Sequence, residues 1–164
     1  MSGAISSDGY RFAQRHPTGA VGRLHNGSGV FPQRPQPMNL HSLHHVALIC
    51  SDYPRSKRFY TEMLGLRVVA ETYRAERDSW KLDLALGEVQ LELFSFPGAP
   101  PRPSYPEAQG LRHLAFAVED LEAAVAELEG QGVRCEAIRC DGLTGKRFTF
   151  FADPDGLPLE LYER

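Results

Sequence analysis

Little in this chain suits a secreted, membrane or nucleic-acid-binding protein. It has three cysteines, Cys50, Cys135 and Cys140, and no CxxC pair. An odd count without paired spacing argues against a disulfide framework and reads as free packing thiols in a reducing cytoplasm. No apolar run approaches the ~20 residues of a membrane-spanning helix. The formal net charge of -3 gives no electrostatic reason to expect nucleic acid or an anionic membrane as partner. Acidic residues are almost missing from residues 1–38, where Asp8 stands alone among Gly, Ser, Pro and Arg without apolar periodicity. That stretch reads as a disordered leader or an expression-derived extension. Met38, just ahead of the first patterned segment, is the expected translation start. A basic, acid-poor transit peptide is the alternative, although no amphipathic helix supports it.

What is present is the patterning of one globular domain over residues 39–164. Leu43 to Cys50 alternates and is rich in aliphatic residues, so it predicts a strand. Asp52 follows as an N-cap with Pro54 in the first turn, and Phe59, Tyr60, Met63 and Leu64 recur at helical spacing until Gly65. Residues 66–73, 80–86 and 89–96 read as strands, with Trp80 expected in the core rather than as a substrate platform. A Pro-rich linker follows, and the order then repeats. Residues 111–118 predict a strand, and Asp120 a second N-cap. Leu121, Ala124, Val125 and Leu128 form a helical face ended by Gly130 and Gly132. Residues 134–139, 147–151 and 157–163 predict three strands, with Asp153-Pro154-Asp155-Gly156 as a tight turn.

A shift of 68 residues overlays the two halves. His45-Val46-Ala47-Leu48 falls on His113-Leu114-Ala115-Phe116, Asp52 on Asp120, and Leu91-Glu92-Leu93-Phe94 on Leu159-Glu160-Leu161-Tyr162. Each half thus has a His on its first strand and a Glu on its last, 47 residues apart. The expected fold is α+β: two repeated βαβββ modules, residues 41–96 and 111–164 joined by linker 97–110, forming a curved mixed sheet.

Alternate residues of a strand share a face. His45 lies with Ala47 and Ile49, His113 with Ala115 and Ala117, and Glu92 with Phe94 and Phe96. The opposite faces carry the aliphatic residues on which the helices should pack. All four polar side chains are therefore expected to converge in the concave face of the sheet. A lone His or Glu on a strand is usually a satisfied or exposed residue, but four at repeat-related positions reverse that expectation. Two carboxylates buried near each other need a cation. His45, Glu92, His113 and Glu160 form an N2O2 set that neutralises one divalent ion and suits Zn, Ni, Co, Mn or Fe. His44 competes with His45, but it has the wrong phase for the cavity, and Arg112 stands at its counterpart in the second half.

The segment Leu43-His44-His45-Val46-Ala47-Leu48 with Asp52, Ser56, Phe59 and Tyr60 resembles the first-module signature of the vicinal oxygen chelate superfamily. Arg112-His113-Leu114-Ala115-Phe116 resembles the second, and Asp153-Pro154-Asp155-Gly156 with Glu160 its closing hairpin. The His/Glu/His/Glu pattern is similar to that of glyoxalase I, the lactoylglutathione lyase. Tyr73 to Lys81 resembles the YaeR-type glyoxalase-like proteins. The resemblance implies the glyoxalase/bleomycin-resistance fold, a homodimer, and one divalent metal ion per site, with Ni, Co or Zn foremost. It also implies a small-molecule substrate presenting two neighbouring oxygens, such as the hemithioacetal of a 2-oxoaldehyde and a thiol. The metal would stabilise an enediolate, Glu160 would move the proton, and Glu92 would be its near-symmetric partner. Other metalloenzymes of the superfamily (epimerase, dioxygenase, thiol transferase) and a non-catalytic binding protein are the alternatives. Ile49 and Phe96 stand where glutathione-using relatives place an Arg and an Asn. Arg74, Arg77 and Lys81 in the first half, and Lys146 and Arg147 in the second, are therefore the candidate cations for an anionic substrate.

Overall fold

The computed structural model describes residues 40–103 and 109–164. The expected 1–38 leader and residues 104–108 of the linker lie outside the described residues. Module one runs β1 (His45–Cys50), α1 (Tyr53–Arg58), β2 (Arg67–Arg74), β3 (Ser79–Leu86) and β4 (Val89–Ser95). Module two runs β5 (Leu114–Val118), α2 (Leu121–Gly130), β6 (Arg139–Cys140), β7 (Arg147–Ala152) and β8 (Pro158–Glu163). The α+β class and the duplicated strand–helix–three-strand order are as expected. Hydrogen bonding makes two four-stranded mixed sheets, ordered β1-β4-β3-β2 and β5-β8-β7-β6. The first strand of each module pairs in parallel with the last, and the rest are antiparallel.

Both helices start as the sequence dictates. The Asp52 carboxylate accepts the Arg55 amide at 3.0 Å, and the Asp120 carboxylate accepts the Ala123 amide at 2.9 Å. They end differently. After Arg58, α1 widens into a π-helical turn over Phe59–Met63, which buries Phe59 and Tyr60 together, and Gly65 then turns with φ 68°. Following α2, the Val133 amide reaches the Leu128 carbonyl and the Gly132 amide that of Glu129, both at 2.9 Å. This is a Schellman end built on Gly132 at φ 82°. The strand expected over residues 134–139 is a correction: only Arg139–Cys140 pairs as β6. The chain before it is held by isolated bonds, the Glu136 amide to the Phe150 carbonyl at 2.8 Å and the Thr149 hydroxyl to the Glu136 carbonyl at 2.7 Å.

One hydrophobic core takes residues from both modules. Leu48, Leu82, Leu84, Leu91 and Leu93 from the first sheet meet Phe151, Leu159 and Leu161 from the second, with Phe59, Tyr60, Leu121 and Leu128 from the helical segments. Each such side chain contributes roughly 2 kcal/mol by leaving water. Among the described residues no helix is long and apolar enough to cross a membrane.

Polar bonds lock the modules at one end of this core. The Tyr60 hydroxyl, fully buried, donates to Asp153 Oδ2 at 2.9 Å. Asp153 Oδ1 takes the amides of Asp155 (2.9 Å) and Leu157 (2.8 Å), and the Ser51 amide donates to Asp155 at 3.0 Å. Burial, and after it the Asp153 carboxylate, pushes the Tyr60 hydroxyl well above the ordinary phenol range, so it stays a donor at all working pH. Tyr60→Phe removes the partner of one carboxylate oxygen and is expected to cost about 1–3 kcal/mol of unfolding free energy. An unchanged denaturant midpoint for this variant would show that the bond does not tie the modules.

Candidate metal centre

Strand alternation sets out both halves of the site. In β1, Val46, Leu48 and Cys50 turn inward while His45, Ala47 and Ile49 are exposed on the other face. Glu92 sits beside Ala47 across the parallel β1–β4 pair, and Glu160 beside Ala115 across β5–β8. A methyl group next to each carboxylate leaves space above it. His45 Nε2 lies 3.9 Å from Glu92 Oε2, and His113 Nε2 lies 3.0 Å from Glu160 Oε2. The carboxylates are the more buried members, with side chains 13% and 11% exposed, against 43% for His45 and 27% for His113.

The sequence leaves open whether the four side chains meet within one chain or between two, and the described residues of one chain do not bring them together. Among the described residues no three His, Cys, Asp or Glu side chains stand close enough to hold one ion. The cause lies in the packing. Both sheets turn their aliphatic faces to the shared core, so the His/Glu faces look outward from it. In donor type the pairs fit a divalent metal, because imidazole nitrogen and carboxylate oxygen are the ligands such ions take. In number each pair supplies half of a four-donor set.

The surroundings of the two pairs differ. Glu92 stands directly opposite Asp83 on β3, whereas Glu160 stands opposite Phe150 on β7. Adjacent like charges repel, and Lys81 relieves this. Its Nζ contacts Asp83 and lies 3.0 Å from Glu92 Oε1. Desolvation alone would lower the Lys81 pKa. The bonds to Asp83 and Glu92 outweigh it and hold the ammonium above its usual value. In module two, the rings of Phe150 and His113 meet edge to face at 5.2 Å.

His44 has a part that its phase in the strand did not reveal. Its Nδ1 lies 2.8 Å from Nδ1 of His45, on the far side of the His45 ring from the nitrogen facing Glu92. Such a contact fixes ring orientation and tautomer in a metal-binding histidine. Nδ1 of His113 is buried without a hydrogen-bond partner among the described residues. The adjacent His44-His45 pair was the only sequence signal for this role.

Of the candidate substrate cations, Arg74 and Lys81 lie on the ligand face. The Arg74 guanidinium covers Phe94 and Phe96, at 4.7 Å and 5.1 Å from the ring centroids. Arg77 is exposed in the 3-10 turn Ala75–Arg77. Lys146 is exposed and donates to the Arg164 carbonyl at 2.7 Å. Arg147 shares the opposite face with Thr149 and Phe151 and is bound to Glu163 and Glu122. Trp80, expected in the core, is instead exposed on the helix side, stacked on Tyr53 with ring centroids 5.3 Å apart.

Known proteins share this arrangement of strands. The chain is 61% identical over 128 residues to the YaeR protein of Escherichia coli (strain K12), covering 77% of this chain and 99% of that one. It is 62% identical over 128 residues to the YwkD protein of Bacillus subtilis (strain 168), covering 77% and 100%. The crystal structure of a glyoxalase family protein from Enterococcus faecalis superposes with a TM-score of 0.70 at 54% identity, over 74% of this chain and 97% of that one. More distant relatives carry the names 2-epi-5-epi-valiolone epimerase, biphenyl-2,3-diol 1,2-dioxygenase and lactoylglutathione lyase. The family model for the glyoxalase/bleomycin resistance protein/dioxygenase superfamily matches residues 42–161, the span that holds both His/Glu strand pairs, and the chain belongs to that superfamily.

Proposed function

We propose that this protein is a cytoplasmic metal-dependent lyase or isomerase of glyoxalase I type. Its substrate presents two neighbouring oxygens, as the hemithioacetal of a 2-oxoaldehyde and a thiol does. The observation that carries the reading is the duplicated pair: in each module a His Nε2 is aimed at a Glu Oε2, at positions 68 residues apart. His45, Glu92, His113 and Glu160 would hold one divalent ion, with Ni, Co or Zn foremost. When bound, that ion supplies Lewis acidity toward the two substrate oxygens. The chain's own residues do the rest. Glu160, set against Phe150 rather than beside an ammonium, takes the proton from the carbon beside the carbonyl and returns it to the neighbouring carbon. Glu92, tied to Lys81, is the more constrained of the two carboxylates.

We further infer that the site is completed in a homodimer. Each chain offers two outward-facing donor pairs, and β1 and β5 are the edge strands of their sheets. A two-fold arrangement that sets the His45/Glu92 pair of one copy against the His113/Glu160 pair of its partner gives two equal sites and covers those edges.

Metal analysis of the purified protein should find about one divalent ion per chain, and His113→Ala should lose it. A His113→Ala variant with full metal content would end the ligand assignment. Turnover of methylglyoxal with several thiols then reads the reaction itself, and a proton shift on an epimerase-type substrate in its absence would favour the second reading, which the epimerase relative supports. The dimer has a separate test. His45→Ala and His113→Ala chains are each expected to be inactive, yet mixing and reassociating them should restore about a quarter of wild-type sites. Half of random dimers are mixed, and one of their two sites has every ligand. No recovery on mixing would place all four donors in a single chain. Lys81→Met frees Glu92 from a competing cation and is expected to tighten metal binding by on the order of tenfold, read by chelator competition. Unchanged affinity would mean that Lys81 does not compete for Glu92.

A further inference from the structure

Arg102 is held by the backbone carbonyls of Gly156 and Leu111, whereas Arg74 is held by a side chain that is not an acid. Its Nε (3.0 Å) and Nη2 (2.6 Å) both donate to the hydroxyl of Ser79, a neutral and fully buried partner. Among the described residues no carboxylate pairs with it. Arg58, Arg139, Arg147 and Arg164 each have an acidic partner. A guanidinium has five N–H donors, so Nη1 and the second hydrogen of Nη2 are left over. The group cannot swing away freely, since Ser79 holds one edge and Phe94 and Phe96 lie under its face. Those two rings are themselves stacked, at 5.8 Å and 10°. Stacking on an aromatic face leaves the in-plane donors available, which is the geometry that binds carboxylate or phosphate in a fork.

The position relative to the His45/Glu92 pair matters as much. Phe94 is two residues beyond Glu92 on the same face of β4, a step of roughly 7 Å. Lys81 lies between, with Nζ 3.0 Å from Glu92 and 5.7 Å from the Phe94 centroid. Lys81 is occupied by Asp83 and Glu92. Arg67, opposite Ala85 at the other end of β2, is exposed and held by no side-chain contact, so Arg74 is the cation without an acidic partner that this face holds in a fixed place among the described residues. Module two has a similar shelf, with Arg139 over Phe148 at 5.0 Å and over Phe150 at 5.5 Å. There the guanidinium is neutralised by Glu136 at 2.9 Å. The repeat therefore keeps the aromatic support twice and the unpaired cation once.

We propose that Arg74 is the specificity-determining anion receptor of this site, selecting small substrates that carry an oxyanion, carboxylate or phosphate, roughly 7 to 14 Å from the reacting oxygens. This rests on the proposed site at Glu92 for its placement, but not for anion binding as such. The full chain, with and without added Ni(II), is titrated to tens of millimolar with inorganic phosphate and separately with acetate. Calorimetry and the Arg74 Nε–H resonance report binding. Saturable binding that moves the Arg74 resonance is expected, and the tighter of the two anions identifies the source. Arg74→Met should weaken it about tenfold or more and Arg74→Lys less, while Ni(II) affinity stays within about twofold in both. Arg139→Met should leave anion binding intact. The proposal is overturned by Arg74→Met binding both anions as the parent does, by no saturable shift at Arg74, or by an equal loss in Arg139→Met. Failed Ni(II) binding with Arg74-dependent anion binding kept would break the metal reading alone. Intact Ni(II) binding with anions indifferent to Arg74 would break this inference alone.

Discussion

Two carboxylates, each on an inner strand of a four-stranded sheet and each nearly nine-tenths covered, have to find positive charge. Glu92 and Glu160 occupy equivalent places in the repeat, beside an alanine of the neighbouring parallel strand. An ionised carboxylate in such a place is costly without a partner. Everything specific about this surface follows from how each module answers that demand. Both use a histidine two residues before the alanine, and neither has a third donor among the described residues. In the proposed site a divalent ion shared between the pairs would meet the charge of both carboxylates together.

The repeat is most informative where it breaks. Opposite Glu92 stands Asp83, and opposite Glu160 stands Phe150. One exchange of an acid for an aromatic separates the two environments. Module one becomes a polar strip of Glu92, Asp83 and Lys81, with Arg74 beyond it. Module two becomes an aromatic floor of Phe148 and Phe150 with Tyr162 stacked on Phe148 at 6.4 Å. A carboxylate against aromatic rings exchanges a proton with less competition from a neighbouring cation than one bonded to an ammonium. That difference, rather than strand position, separates the roles of Glu160 and Glu92 in the proposed reaction.

Most of the fold was legible because its signals are local. Strand alternation, the Asp52 and Asp120 caps and the 68-residue offset each follow from neighbouring residues, and together they require a duplicated α+β unit. The closeness of each His to its Glu was legible for the same reason. What could not be read was set by packing between distant segments. The π-helical turn at Phe59–Met63 arises where Phe59 meets Phe151 and Tyr60 meets Asp153, contacts across more than ninety positions. Residues 134–138 alternate like a strand, but they are bonded to β7 only at Glu136. His44 looked out of phase because it precedes the strand, and its bearing on His45 depends on side-chain rotation rather than on strand parity. The faces of Arg147 and Trp80 were implicit in alternation once strand bounds were fixed. Neither points toward Glu160 or Glu92.

Whether four donors meet within a chain or between chains is decided by which faces the modules share. A continuous sheet with its helices on one side would put both His/Glu pairs in one concavity. Here Phe59 and Tyr60 of module one are inserted against Phe151 and Asp153 of module two, so the aliphatic faces of both sheets close on a common core. Burying those faces together turns the His/Glu faces outward, and it does so through the same bonds that hold the modules: Tyr60 to Asp153, Ser51 to Asp155, and Gln131 Nε2 to the Met63 carbonyl at 3.4 Å. The intramolecular core and an intramolecular four-donor site are thus competing arrangements of one duplicated unit. A chain that commits to this core retains two His/Glu pairs that stand apart, and in the proposed dimer a second copy would bring the complementary pair at the matching repeat position.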